Sequence, residues 1–67
     1  MRSVGSREII KALERKGWQL AGIRGSHRQY RHPVLPGRVT VPHPVKDIPW
    51  GTVRSIMKQS GIKETDL

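Results

Sequence analysis

The eight residues at positions 25–32, GSHRQYRH, place a tight-turn signal directly before a strand pattern, and the rest of the predicted fold is built around this strand. The RGS at 24–26 predicts the turn. The following residues, to position 32, predict a strand whose side chains alternate between two faces. Tyr30 is the aromatic residue of this strand and belongs on the face that packs against the core. Alternation then leaves three side chains on the opposite face: His27, Gln29 and Arg31.

Two more strands flank this one and make an antiparallel meander. Residues 18–24 have the length and apolar content of a strand, and Gly22 interrupts the alternation, which predicts a bulge or a bend. A loop bounded by proline and glycine, PVLPG at 33–37, leads to the short β-branched strand RVTV at 38–41. Arg38 and Thr40 would then lie near His27, Gln29 and Arg31.

A helix is expected before the sheet and another after it. Ser6–Lys16 has an apolar stripe, with Ser6 as the expected N-cap and Gly17 at the left-handed position that ends helices. The connector VPHPVKDIP, at 41–49, cannot be regular because its prolines lack a backbone donor. The second helix starts near Pro49 and buries four residues: Trp50, Val53, Ile56 and Met57. We expect residues 62–67 to form a frayed tail.

The predicted fold class is α+β, in the order α-β-β-β-α, within a single domain over residues 1–67. A three-stranded antiparallel sheet with both helices on one face buries the two helical stripes in one layer. The other face of the sheet is left open. The chain contains no cysteine, so disulfides and cysteine-based zinc sites are excluded.

The charge balance is strongly basic and points to an anionic partner. Thirteen Lys and Arg face five Asp and Glu, for a formal net charge of +8, and no acidic residue occurs between Arg15 and Lys46. Such a one-signed field attracts nucleic acid, although an acidic protein partner would use the same charges. The N-terminus lacks the apolar run of a signal peptide, and no stretch is long enough to span a membrane. We therefore expect a cytoplasmic protein with no membrane partner.

The open face suits phosphodiester chemistry. RNA carries its own nucleophile, the 2′-hydroxyl, so an enzyme needs mainly a group that moves protons near neutral pH, and histidine has an ordinary pKa of about 6.5. Arginine supplies positive charge for the phosphate. The histidines match no metal motif, and we expect neither a metal nor another cofactor.

Two alternative interpretations remain open. In the first, His27 is a structural residue; in the second, the protein is a non-catalytic RNA-binding module of the same fold. His32 is expected to bond locally, while His43 is structural or brings a second imidazole to the sheet edge.

Four segments together resemble the HicA family of toxins. They are REIIKALERKGWQL with its Gly-Trp ending, IRGSHRQYRHP with its Gly-Ser-His motif, PGRVTVPHP, and KDIPWGTVRSIMKQSGI. Their order and spacing cover nearly the whole chain. Where Trp50 stands, we would expect a polar or basic residue from this family.

The resemblance implies a fold similar to the double-stranded-RNA-binding domain and metal-independent cleavage of mRNA. It places the catalytic histidine at His27 and implies a HicB-type antitoxin as partner, so the protein would be the toxin of a type II toxin–antitoxin system. Seven further residues are predicted to contact RNA: Arg24, Ser26, Arg28, Gln29, Arg31, Arg38 and Lys46.

Overall fold

The computed structural model describes residues 3–67 and confirms the α-β-β-β-α order. The elements are α1 (Ser6–Arg15), β1 (Gln19–Arg24), β2 (His27–Arg31), β3 (Arg38–Pro42) and α2 (Trp50–Ser60), followed by a short 3-10 helix (Glu64–Asp66). Over the described part of the chain, no helix is both long and apolar enough to cross a membrane.

The sheet has the order β1-β2-β3 with antiparallel neighbours, and its helix-facing side carries the core. Tyr30 on β2 and Val39 and Val41 on β3 are buried beneath the two helices, as alternation predicted. From α2, Val53 and Ile56 are buried. Two further side chains of that helix, Trp50 and Met57, are partly buried and pack against the same core.

A bulge in β1 resets the alternation of that strand. Leu20 pairs with Tyr30, but Gly22, not Ala21, pairs with Gln29, so one extra residue is inserted at this point. An extra residue moves every later side chain of the strand to the opposite face. The bulge therefore sends Arg24 to the open face, where an unbroken alternation from Gln19 would have turned it toward the helices.

Trp18 joins the end of α1 to the sheet and to α2. Its ring is buried, and its indole Nε1 donates to the carbonyl oxygen of Ser60 at 3.1 Å. The Trp18 and His32 rings form a T-shaped pair with a centroid distance of 5.2 Å. Gly17 just before it has φ 94°, and an added Cβ would lie 2.9 Å from Nε2 of His32. The position therefore requires glycine for both its backbone angle and its space.

The expected capping role of Ser6 is wrong, because Gly5 is the N-cap and makes no side-chain cap. Ser6 is the first residue of α1 and is buried. Its hydroxyl oxygen accepts the backbone N–H of Val45 at 2.9 Å and lies 2.7 Å from Nδ1 of His43. The proline-rich connector lies across the start of α1, and the backbone N–H groups of the connector need hydrogen-bond partners there. The Ser6 hydroxyl is the partner of one of them.

The expected frayed tail is also wrong. Ile62 is buried, and residues 64–66 form the 3-10 helix. Asp66 accepts the backbone N–H of Lys63 at 2.7 Å and lies 3.7 Å from Nζ of Lys16, while the Asp66 carbonyl oxygen accepts from Arg15 at 2.7 Å. The tail is ordered because Asp66 contacts the basic end of α1. The helix dipole disfavours a negative charge at this end, and the positive charges of Lys16 and Arg15 offset that effect.

This contact makes the tail sensitive to acid. The backbone N–H of Lys63 and then the charge of Lys16 hold the pKa of Asp66 below its ordinary value of 3.8. A depressed pKa means that the stabilisation is present above that ordinary value and is lost as the pH falls through the folded-state pKa. We expect Asp66→Asn to lower the melting temperature at neutral pH and to have little effect well below pH 3.8. Thermal unfolding of both proteins across pH checks this, and an equal difference at both ends would contradict it.

Candidate functional site

The register of the strands places nine residues of the open face in three rows. Residues directly opposite each other in an antiparallel pair share a face. Each row is named here after its β2 member: the His27 row is Arg24, His27 and Pro42; the Gln29 row is Gly22, Gln29 and Thr40; the Arg31 row is Gln19, Arg31 and Arg38. No helix covers this face, and it carries the predicted catalytic histidine together with several of the predicted RNA-contacting residues.

His27 lies at the start of β2, directly after the two-residue turn formed by Gly25 and Ser26. Gly25 has φ 59°, a conformation that suits glycine and lets the chain reverse within two residues. The His27 side chain is exposed, and its ring has no hydrogen-bond or ion-pair partner among residues 3–67. Both ring nitrogens are therefore open to a ligand.

His32 contrasts with His27, because both of its ring nitrogens are occupied. Nδ1 accepts the backbone N–H groups of Val34 and Leu35, each at 3.0 Å, and Nε2 donates to the carbonyl oxygen of Lys16 at 2.9 Å. These partners require the tautomer with its proton on Nε2. The ring closes the end of α1 and shapes the loop after β2, as expected of a locally bonded strand-end residue.

Arg24 is the guanidinium placed beside the free imidazole. It is the direct β1 partner of His27 on the open face, and such partners have Cβ atoms about 4.5–5.5 Å apart. Both side chains are exposed and long enough to meet on a ligand between them. The bulge at Ala21 creates this pair, so the sequence signal for it was the Gly22 interruption.

The Arg31 row carries the other two arginines of the open face. Arg31 and Arg38 face each other directly across β2 and β3, whereas the sequence predicted only that Arg38 would lie near Arg31. Nη1 of Arg38 donates to Oε1 of Gln29 at 3.1 Å, which ties the guanidinium back toward the middle of the sheet. Gln19 completes the row from β1 and was not among the predicted residues, because its position follows only from the register on either side of the bulge.

Three predicted RNA-contacting residues lie outside these rows. Arg28 pairs with Ile23 and Val41 on the helix-facing side of the sheet and is half-buried, so the structure does not bring it to His27. Lys46 lines a cleft of about 510 Å³ beside the start of α1, together with Arg7 and His43. Ser26 lies in the turn before His27.

A chain of contacts supports the turn before His27, and sequence reasoning missed it. The backbone N–H of His43 donates to the Ser26 carbonyl oxygen at 2.8 Å. The His43 ring is in turn held by the Ser6 hydroxyl at 2.7 Å. These contacts join α1, the connector and the turn. In the sequence, the position of His43 just after the VTVP strand was the only indication of them. His43 is thus a structural neighbour of the site.

Over residues 3–67, no three His, Asp or Glu side chains are grouped so as to hold a metal ion. The polar and charged groups distributed over the open face include an imidazole, three guanidinium groups and two amides. Such a set can exchange a proton and bind phosphate oxygens through paired N–H donors.

These features define a class of protein: a small basic domain whose uncovered sheet carries a free imidazole and three guanidinium groups. The family model described as "HicA toxin of bacterial toxin-antitoxin" matches residues 6–62. A solved structure described as "HicA3 and HicB3 toxin-antitoxin complex" is similar, with 37% sequence identity and a TM-score of 0.75 over 91% of this chain and 98% of that one. No curated protein matches the chain.

The chain belongs to the HicA toxin family, since the family model spans well over half of it. The predicted family and fold are therefore confirmed, and the protein is the toxin member of a toxin–antitoxin system.

Proposed function

We propose that this toxin is a metal-independent endoribonuclease that cleaves mRNA at the His27 row. The observation that carries the proposal is the unpartnered His27 ring directly opposite Arg24 on an uncovered, basic sheet face. The Gly-Ser-His motif that resembles the family's catalytic motif supports the same residue.

In the proposed reaction, the 2′-oxygen of the substrate attacks the adjacent phosphorus and the bond from phosphorus to the 5′-oxygen breaks. The products are a 2′,3′-cyclic phosphate and a free 5′-hydroxyl, so one proton leaves the 2′-oxygen and one reaches the 5′-oxygen. His27 performs one of these transfers as general base or general acid. Arg24 donates to the phosphate oxygens on which charge develops.

The proposed protein partner is a HicB-type antitoxin. The similar HicA3 chain was solved in complex with HicB3, and the net charge of +8 here suits a partner with an acidic surface. Because the substrate is mRNA, we place the action of the toxin in the cytoplasm.

A second candidate function is a non-catalytic RNA-binding module, favoured by the spread of basic residues over the whole chain. Such a module would bind RNA with the same steep loss of affinity in salt. It would leave the RNA intact, and it gives no role to a free imidazole at the His27 row.

The role of the 2′-hydroxyl gives a direct test of the chemistry. We expect an oligoribonucleotide with one cleavage site to be cut to a 2′,3′-cyclic phosphate, and the same oligonucleotide with a single 2′-deoxy residue at that site to resist. Mass spectrometry of the products distinguishes a cyclic phosphate from other ends. Efficient cleavage of the 2′-deoxy substrate would exclude the proposed nucleophile.

A further inference from the structure

We propose that the Arg31 row is a second phosphate-binding subsite, which holds a neighbouring linkage of the RNA while the His27 row acts on the scissile one. The inference rests on the proposed function and adds how the substrate is placed on the open face. It also divides the predicted RNA-contacting arginines into two groups with different tasks.

The first observation is a pair of like charges that the fold itself brings together. Arg31 and Arg38 are direct cross-strand partners, and both are exposed on the open face. Like charges directly opposite each other in a sheet repel. The sheet offers no compensation, because no acidic residue occurs between Arg15 and Lys46. A bound phosphate would relieve the repulsion, since two guanidinium groups can each donate paired N–H bonds to its oxygens.

The second observation is that one of these arginines is already oriented. Oε1 of Gln29 accepts from Nη1 of Arg38 at 3.1 Å, which restrains the guanidinium over the sheet before any ligand arrives. A restrained side chain loses less rotamer entropy on binding than a free one. Because Oε1 is the acceptor, the amide NH₂ of Gln29 remains a donor for RNA.

The third observation is distance. Arg31 lies four residues along β2 from His27, and a strand rises about 3.3 Å per residue, so the two rows are about 13 Å apart. A phosphate seated between His27 and Arg24 therefore lies beside the His27 row and away from the strand positions of the Arg31 row. Arg24 is therefore the arginine placed for the scissile phosphate, while Arg31 and Arg38 are placed for a different linkage of the same strand.

Between the two rows, the Gln29 row leaves room for the chain that connects those linkages. Gly22 occupies its β1 position, and a Cβ added there would meet nothing within 4 Å. Its φ lies outside the left-handed region, so neither packing nor backbone angle requires glycine. Because Gly22 has no side chain, nothing projects from β1 into the space that the RNA backbone would cross between Arg24 and Arg31.

RNA is the occupant that this arrangement favours over an acidic protein. The three rows follow one another along the strands, with arginines in the first and last rows and an uncharged middle row that has no side chain at Gly22. This arrangement suits a linear polyanion that runs along the strands. Positively charged grooves that follow the backbone are the usual means of binding single strands. An acidic antitoxin surface is the competing occupant, and the experiment separates the two.

The test uses oligoribonucleotides with one cleavage site, in which each flanking phosphate is replaced in turn by an uncharged methylphosphonate. With the wild-type toxin, we expect kcat/KM to fall about tenfold or more when one particular neighbouring linkage is neutral, mainly through KM. With the double variant Arg31→Gln/Arg38→Gln, cleavage of the normal RNA should fall similarly, and the neutral linkage should cause no further loss. Arg54→Gln, which removes an equal charge on α2, should behave as the wild type.

An undiminished methylphosphonate effect in the double variant would overturn the proposal. So would a double variant that cleaves normally and loses only its affinity for the antitoxin, because the row would then belong to the protein interface. Cleavage of the normal RNA by wild type, and its absence in His27→Ala, establish the proposed function independently of this scan.

A side chain introduced at Gly22 provides an independent check of the proposed RNA path between the two rows. Gly22→Val should leave the melting temperature close to that of the wild type, because an added Cβ meets no atom within 4 Å and valine favours strands. It should nevertheless raise KM, since it stands in the path between the rows. A folded Gly22→Val protein with unchanged KM would contradict the proposed path.

Discussion

His27→Ala should reduce the rate of RNA cleavage by about 10²–10⁴-fold, the usual contribution of a general acid or base. The loss follows from removing the free imidazole of the His27 row. The fold should be preserved, because the His27 side chain is exposed and has no hydrogen-bond or ion-pair partner among residues 3–67. Single-turnover cleavage of an oligoribonucleotide measures the effect, and expression of the variant in cells should no longer arrest growth.

Two controls separate catalysis from binding and folding. RNA affinity is measured on a 2′-deoxy oligonucleotide that resists cleavage, and His27→Ala should bind it nearly as well as the wild type. Arg54→Ala, on the exposed side of α2, should retain both cleavage and toxicity. A soluble, folded His27→Ala protein that cleaves at the wild-type rate would remove His27 from the mechanism.

Trp18→Ala should largely unfold the protein. Replacing a buried tryptophan by alanine costs about 3–5 kcal/mol through lost burial and a residual cavity, and here it also removes the bond to the Ser60 carbonyl and the contact with His32. A core of this size rarely supplies more than about 3–5 kcal/mol in total. The free energy lost by the substitution is comparable to the whole stability that such a core supplies. Trp18→Ala should therefore show no cooperative unfolding transition at 37 °C.

Trp50→Ala is the matched control, because it is the same truncation at a side chain that is only partly buried. Urea unfolding followed by far-ultraviolet circular dichroism compares the two. Trp50→Ala should keep a cooperative transition at a reduced midpoint. If Trp18→Ala unfolds at the same midpoint as Trp50→Ala, the structural role given to Trp18 is wrong.

The fold followed from local patterns that tertiary contacts reinforce. Tyr30 sets the phase of β2, and the burial of Val39 and Val41 on the same face agrees with it. Gly17 and Gly22 marked the end of α1 and the bulge in β1 because each departs from the pattern around it. These features are encoded within a few residues, so the sequence alone could predict them.

Features that depend on distant partners could not be predicted. Ser6 resembles an N-cap locally, but its hydroxyl bonds to Val45 and His43, nearly forty positions away. The tail is polar and resembles a frayed end, yet Asp66 meets Lys16. The division of the arginines between two rows likewise required the register of three strands, and no single strand contains it.

In the proposed mechanism, the open sheet face cleaves RNA by itself, through His27 and without a metal ion. The most direct measurement is a time course of a long transcript in EDTA with the purified wild-type toxin and His27→Ala side by side. We expect progressive shortening of the transcript by the wild type and an intact transcript with the variant. An intact transcript with both proteins, each folded and binding RNA, would contradict it, as would equal shortening by both.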